Sequence, residues 1–174
     1  MRNKNHWDWL HVILIAFALA FVIRMYLFAP VLVDGESMVP TLQDEDRLIV
    51  NKFQYHVKTP ERFDVIVFHA TEGKDYIKRV IGLPGDHIVY QNDQLYINDM
   101  PVQEPFLDAL KVLTDEPLTE DFIVQEVPAH HLFVLGDNRR ISKDSRIIGP
   151  INEKAVVGEA QLVFWPFSSF HFTP

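Results

Sequence analysis

Tyr76-Ile77-Lys78-Arg79-Val80-Ile81, followed by Gly82-Leu83-Pro84-Gly85-Asp86, His87-Ile88-Val89-Tyr90, Gln91-Asn92-Asp93 and Gln94-Leu95-Tyr96-Ile97, is the stretch that decides the fold. Its apolar runs are rich in Val, Ile and Tyr, too short for helices and closed by turn formers, so they read as strands. Pro84-Gly85-Asp86 predicts a turn, and Asn92-Asp93 between two such runs predicts a hairpin. The pattern repeats outward in both directions, at Arg47 to Val50, Asp64 to Phe68, His131 to Leu135 and Val156 to Trp165. Short connections of this kind join antiparallel neighbours, so the sequence predicts a mainly β domain built on an antiparallel β-sheet. Residues 103–129 break the rhythm: they are weakly periodic and acidic, with Glu104, Asp108, Asp115, Glu116, Glu120, Asp121 and Glu126. They read as an excursion from the sheet. Asn152 is placed to cap one helical turn through Lys154.

The exception to the β pattern comes at the start of the chain. Trp9 to Phe28 is interrupted only by His11 and Arg24, and a helix of that length rises about 30 Å, the thickness of the hydrocarbon core. Arg24 lies four residues from the end of this stretch, close enough for its side chain to snorkel to the interface. Trp7 and Trp9 at one end and Tyr26 at the other fit the two aromatic belts. Arg2, Lys4 and the N-terminal amine favour a cytoplasmic N-terminus, against the single opposing charge of Arg24. The expected organisation is a cytoplasmic tail 1–8, a single transmembrane anchor 9–28 in the cell membrane, and a domain 29–174 on the outer face beside the lipid bilayer. A cleavable leader would carry its small residues after the apolar run, whereas Ala18 and Ala20 lie inside it.

Composition closes off other classes of function. A chain of 174 residues holds one anchor and one globular domain with a real core. The absence of cysteine excludes a disulfide scaffold, a thiol nucleophile and a cysteine-based zinc site. The eight histidines show no metal-binding spacing, and adjacent His130 and His131 point apart on a strand, so neither a metal nor another cofactor is expected. The net charge is -8, of which residues 1–30 contribute +2 (Arg2, Lys4 and Arg24 against Asp8), leaving -10 for the body. An acidic body without a basic stripe argues against nucleic acid as a partner.

Ser37-Met38-Val39-Pro40-Thr41 begins nine residues past Phe28, and Lys78 follows on the strand quoted above. A serine hydroxyl needs a base to take its proton, usually a histidine. Lysine is the better candidate here, provided its pKa falls. Free lysine, near 10.4, is neutral in only about one molecule in 2,500 at pH 7, and desolvation is the means of lowering it. On a strand Lys78 shares its face with Tyr76 and Val80, while Ile77 and Ile81 lie opposite, so its backbone neighbourhood is apolar. Singly, Ser-x-x-Pro is most often a turn and a strand lysine most often reaches solvent. The reading rests on their occurrence together with Gly136-Asp137-Asn138-Arg139 and Ser142-Lys143-Asp144-Ser145-Arg146.

In order and approximate spacing these segments resemble the motif boxes of type I bacterial signal peptidases, over nearly the whole chain. The resemblance implies a membrane-bound serine endopeptidase that removes signal peptides from secretory precursors after small residues. It assigns Ser37 as nucleophile and Lys78 as base. Ser142 is expected to hydrogen-bond and orient the lysine amine, and Asp144 and Arg146 to brace the site. It also implies that the precursor adds as a strand between Val33-Asp34 and Tyr76-Ile77. Many members place a hydroxyl two residues before the nucleophile as an oxyanion donor beside the Ser37 amide. This sequence has Gly35, so either the backbone approaches closely there or water supplies the donor. Phe164, Trp165, Phe167, Phe170 and Phe172 divide between core and lipid contact. A self-cleaving repressor would need a DNA-binding domain where the apolar helix stands, and a silent homologue would have lost Ser37 or Lys78.

Overall fold

The computed structural model describes residues 5–26, 28–70 and 73–173. Arg2 and Lys4 lie outside the described residues, as do the side chains of Trp7, Arg24, Tyr26 and Phe28. Helix α1, Asn5–Tyr26, leads into strand β1, Phe28–Leu32. The remaining strands are β2 (Arg47–Asn51), β3 (Val65–His69), β4 (Asp75–Gly82), β5 (Ile88–Gln91), β6 (Gln94–Ile97) and β7 (Met100–Val102). They continue with β8 (Phe122–Val124), β9 (His131–Leu135), β10 (Ile151–Asn152), β11 (Val156–Trp165) and β12 (His171–Phe172). Single helical turns are α2 (Gln54–Val57), α3 (Asp108–Lys111) and α4 (Ser145–Ile148).

The chain is mainly β and its strand pairs are antiparallel, but the strands form two sheets instead of one. An eight-stranded sheet runs β1-β2-β11-β3-β4-β9-β10 with β12 added to β11, and a four-stranded sheet runs β7-β6-β5-β8. The predicted hairpin at Asn92-Asp93 joins β5 to β6, and both residues take positive φ, 50° and 60°, as a two-residue turn matched to strand twist requires. The acidic stretch 103–129 leaves the smaller sheet after β7 and returns one strand, β8, to it, where Phe122 pairs with Tyr90. Asn152 caps the turn Glu153–Ala155, its side chain accepting from the Lys154 N–H at 3.0 Å.

Strand β3 shows why both faces of the larger sheet are dry. Val65 and Val67 join Met38, Leu42, Leu48, Val50 and Val163 in one core cluster. Ile66 and Phe68 join Val80, Leu132 and Val134 in another. Alternation sends successive residues to opposite faces, and apolar residues at every position bury both. A third cluster, with Ile81, Ile88, Leu95, Ile97 and Phe133, fastens the smaller sheet to the larger.

Two features of the larger sheet position the site. Strand β4 pairs with β3 along Asp75 to Arg79, but β9 joins its other edge only from Arg79 onward. Among the described residues no strand pairs with the other edge of 75–78. Strand β1 ends at Leu32 on the rim of the same sheet, so the loop after it carries Ser37 directly from the sheet edge.

Among the described residues no helix is long and apolar enough to cross a membrane. Along α1 side chains are described for residues 9–21, which rise about 20 Å, short of the about 30 Å hydrocarbon core.

Candidate active site

The turn that carries Ser37 is held from below by apolar anchors and from the side by hydrogen bonds. Met38 and Leu42, 1% and 0% exposed, fix the 35–42 loop on the core. Asn138 donates its N–H to the Ser37 carbonyl at 3.1 Å and its side-chain amide to the Glu36 carbonyl at 3.2 Å. Among the described residues the Ser37 N–H has no acceptor.

Lys78, predicted on its strand, is 4% exposed. Its Nζ donates to Ser37 Oγ at 2.7 Å and to the Ile77 carbonyl at 2.8 Å, and lies 5.3 Å from the centre of the Tyr76 ring. Burial pushes the ammonium down from 10.5 to about 8, against the carboxylates of Asp144 and Asp137, which favour the charged form. At about 8, about one lysine in eleven is neutral at pH 7, against one in several thousand unperturbed. Ser37 and Lys78 thus form a hydrogen-bonded pair in which the amine can accept a proton at neutral pH.

Of the three residues expected to support the pair, Asp144 and Arg146 meet each other. Asp144 is fully buried and accepts from the Gly136 N–H at 3.0 Å. The same carboxylate pairs with Arg146, at 2.9 Å to Nε and 2.8 Å to a terminal nitrogen. Arg146 also donates to the Arg139 carbonyl at 2.7 Å. Ser142, however, does not bond Lys78. Its hydroxyl is buried and has no partner among the described residues, because the Ser142 backbone is committed to a turn on Asn138 and its Oγ packs against Gly136. A Cβ on Gly136 would sit 2.2 Å from Ser142 Oγ and 2.4 Å from the Ser37 carbonyl oxygen. Only a glycine fits between them.

Gly35 brings no other protein atom close to the turn on its Cβ side. Its N–H is spent on Asp44 Oδ1 at 2.8 Å, and nothing lies within 4 Å of where its Cβ would be. Glycine stands there because φ is +102°, a conformation that L side chains avoid. The backbone donor left unspent on this turn among the described residues is the Ser37 N–H. Val33, Asp34, Tyr76 and Ile77 are brought together along one groove of about 380 Å³ that also contains Ser37 and Lys78. Among the described residues no group of three His, Cys, Asp or Glu side chains could hold a metal ion.

A second set of residues escaped the sequence reading. Arg79, adjacent to Lys78 but on the opposite face, is fully buried, and its guanidinium meets Asp137 at 2.9 and 2.8 Å. Thr41 donates to the same carboxylate, and Arg79 lies 4.0 Å over the Phe106 ring. Arg139 is likewise buried, held by Glu104 at 2.5 Å and by the Tyr90 hydroxyl. For Arg79 the available signal was an arginine on a strand face shared with Ile77 and Ile81, since such a charge requires a buried carboxylate.

The model of the family "Signal peptidase, peptidase S26" matches residues 6–165. Signal peptidase I of Bacillus caldolyticus is 44% identical over 178 residues, covering 98% of this chain and 96% of that protein. Signal peptidase IB of Staphylococcus aureus is 40% identical over 181 residues, covering 98% of this chain and 95% of that one. The crystal structure of a signal peptidase I from Enterococcus faecalis superposes with a TM-score of 0.56 at 39% identity, covering 59% of this chain and 97% of that one. On the match along its length and on these relatives, the chain belongs to the signal peptidase family, peptidase S26.

Proposed function

We propose that Ser37 and Lys78 are the nucleophile and general base with which this signal peptidase cuts secretory precursors after a small residue. The contact of 2.7 Å between Nζ and Oγ, in a site dry enough to lower the amine's pKa, is the observation that carries the reading. Neutral Lys78 takes the hydroxyl proton as Ser37 Oγ bonds to the scissile carbonyl carbon. The negative oxygen of the tetrahedral intermediate is stabilised by the Ser37 N–H and by water. Collapse breaks the C–N bond, and the Lys78 ammonium returns its proton to the departing amine of the mature protein. The signal peptide is left as an ester on Ser37. Water, deprotonated by Lys78, hydrolyses that ester and restores the pair.

The precursor adds as a strand in the groove between Val33-Asp34 and Tyr76-Ile77. The open edge of β4 at residues 75–78 supports this, since backbone bonds then hold many different sequences. On the opposite wall the Val33 N–H and carbonyl are already spent on Asp46 and Glu45, so Asp34 supplies the backbone groups facing the substrate. Arg146 neutralises Asp144, and Arg79 neutralises Asp137. Without these pairs two buried carboxylates would pull the Lys78 pKa back up.

Residues 9–28 form the transmembrane anchor, with residues 1–8 cytoplasmic and 29–174 on the outer face. Supporting this, the side chains of 9–21 are exposed in the isolated chain, and the backbone of α1, 22 residues, rises about 33 Å. The exposed rings of Phe167, Phe170 and Phe172 rest on the same bilayer. Unchanged liposome binding after Phe170→Ser with Phe172→Ser would remove that contact. Full-length protein in detergent, mixed with a precursor, tests the dyad: cleavage after a small residue is expected, abolished by Ser37→Ala and by Lys78→Ala. Full activity in Lys78→Ala would rule out the base assignment.

A further inference from the structure

Beyond the groove that holds Ser37 and Lys78 lies a larger cleft, about 740 Å³, between residues 116–121 of the acidic excursion and residues 139–147. The partition between them is one segment thick. Ile141 and Lys143 line the first groove, whereas Ser142 between them lines the second. Gly136 sets the separation. The Ser37 carbonyl oxygen and Ser142 Oγ lie 2.4 and 2.2 Å from the same point, the place of a Gly136 Cβ, and so cannot be more than about 5 Å apart. Ser142 is 5% exposed and its Oγ is unpartnered, as is Arg139 Nε, also on a residue of this wall. Two buried polar groups beside one cleft are left for an occupant to satisfy.

The charge of the cleft is carried by its outer wall. Arg139 and Arg146 are committed inward to Glu104 and Asp144, and Arg140 pairs with Glu116. Glu120 has no ion-pair partner among the described residues, and Asp121 accepts only the Asn92 N–H. The wall therefore presents surplus negative charge.

We propose that this cleft receives the first residues of the mature protein, on the far side of the scissile bond, and disfavours acidic ones there. This rests on the assignment of Ser37 and Lys78 given above. An extended chain advances about 3.4 Å per residue, so the second or third residue past the bond clears the partition and lies against Glu120 and Asp121. The first groove reads the signal peptide and the second reads the leading end of the mature chain.

The test uses two precursor peptides, identical except for Lys or Glu at the third residue after the scissile bond, and full-length protein in detergent. The Lys peptide is expected to show at least about threefold higher kcat/KM at low ionic strength, with the ratio shrinking toward one in high salt. Glu120→Lys, an exposed substitution, is expected to narrow or invert the ratio. If the wild-type protein cuts both peptides equally, or Glu120→Lys leaves the ratio unchanged, the cleft does not read the mature arm. If neither peptide is cut while Ser37→Ala behaves identically, the peptidase reading itself falls.

Discussion

Replacing Lys78 by Met is expected to make the protein inactive and more stable. Burial lowers the folded-state pKa from 10.5 to about 8, and a drop of that size corresponds to about 3 kcal/mol. The sign comes from proton counting. Between about 8 and 10.5 the unfolded chain holds a proton on this lysine that the folded chain does not, so stability rises with pH across that window. Below pH 8 the whole cost is present. Methionine removes the cost but also strips Ser37 Oγ of its donor, a loss of about 1 kcal/mol. The net gain at pH 7 is about 2 kcal/mol, fading as pH approaches 10.5. Tyr55 and Tyr90, whose pKa values burial raises, lower stability above pH 10 in both proteins alike and cancel in the difference. Urea unfolding of full-length protein in micelles, followed by circular dichroism at pH 7, 8.5 and 10, measures the gap. A variant less stable at pH 7, or a gap that does not change with pH, would refute the claim that Lys78 is a desolvated amine.

Asp144→Asn removes a charge that raises the Lys78 pKa and leaves Arg146 uncompensated, so the rising limb of the rate profile moves below 8; a limb moving upward would contradict the electrostatics. Gly136→Ala drives a methyl into the Ser37 carbonyl and Ser142 Oγ. A displacement of about 1 Å at the nucleophile is expected to cost about 100-fold in kcat/KM, and activity within tenfold of wild type would show that the loop can yield. Breaking the buried Arg79–Asp137 pair with Arg79→Leu is expected to cost about 3–5 kcal/mol, because Asp137 is left charged and alone. Adding Asp137→Leu recovers part of this, and a double-mutant cycle by thermal unfolding reads the coupling.

Short apolar runs bounded by turn residues located β2 to β6, β9 and β11 to within a residue or two, because those strands carry their own signal. Strand β1 was hidden, since Phe28 to Leu32 continues the apolar run of the helix and contains Pro30. Strand β8 sits in an acidic stretch and gains strand character only by pairing with β5, more than thirty residues earlier. The division into two sheets follows from β4 pairing with the distant β9 and not with β5, which no local pattern announced. Ser37 and Lys78 were legible because their chemistry is incomplete without each other. The Arg79–Asp137 and Arg139–Glu104 pairs were not, because adjacency in a motif does not say which carboxylate a buried guanidinium meets. The expected Ser142 bond to Lys78 failed for a related reason: the Ser142 hydroxyl is turned toward Gly136 by a backbone turn that sequence spacing does not encode.

The pH dependence of precursor cleavage by the full-length protein tests the dyad most directly. With substrate below saturation, kcat/KM is expected to rise with unit slope through a single ionisation near the lysine value of about 8, with no such limb in Lys78→Ala. A limb near 10.5 would mean that Lys78 is not desolvated, and one that survives loss of the lysine would mean that another group takes the proton from Ser37.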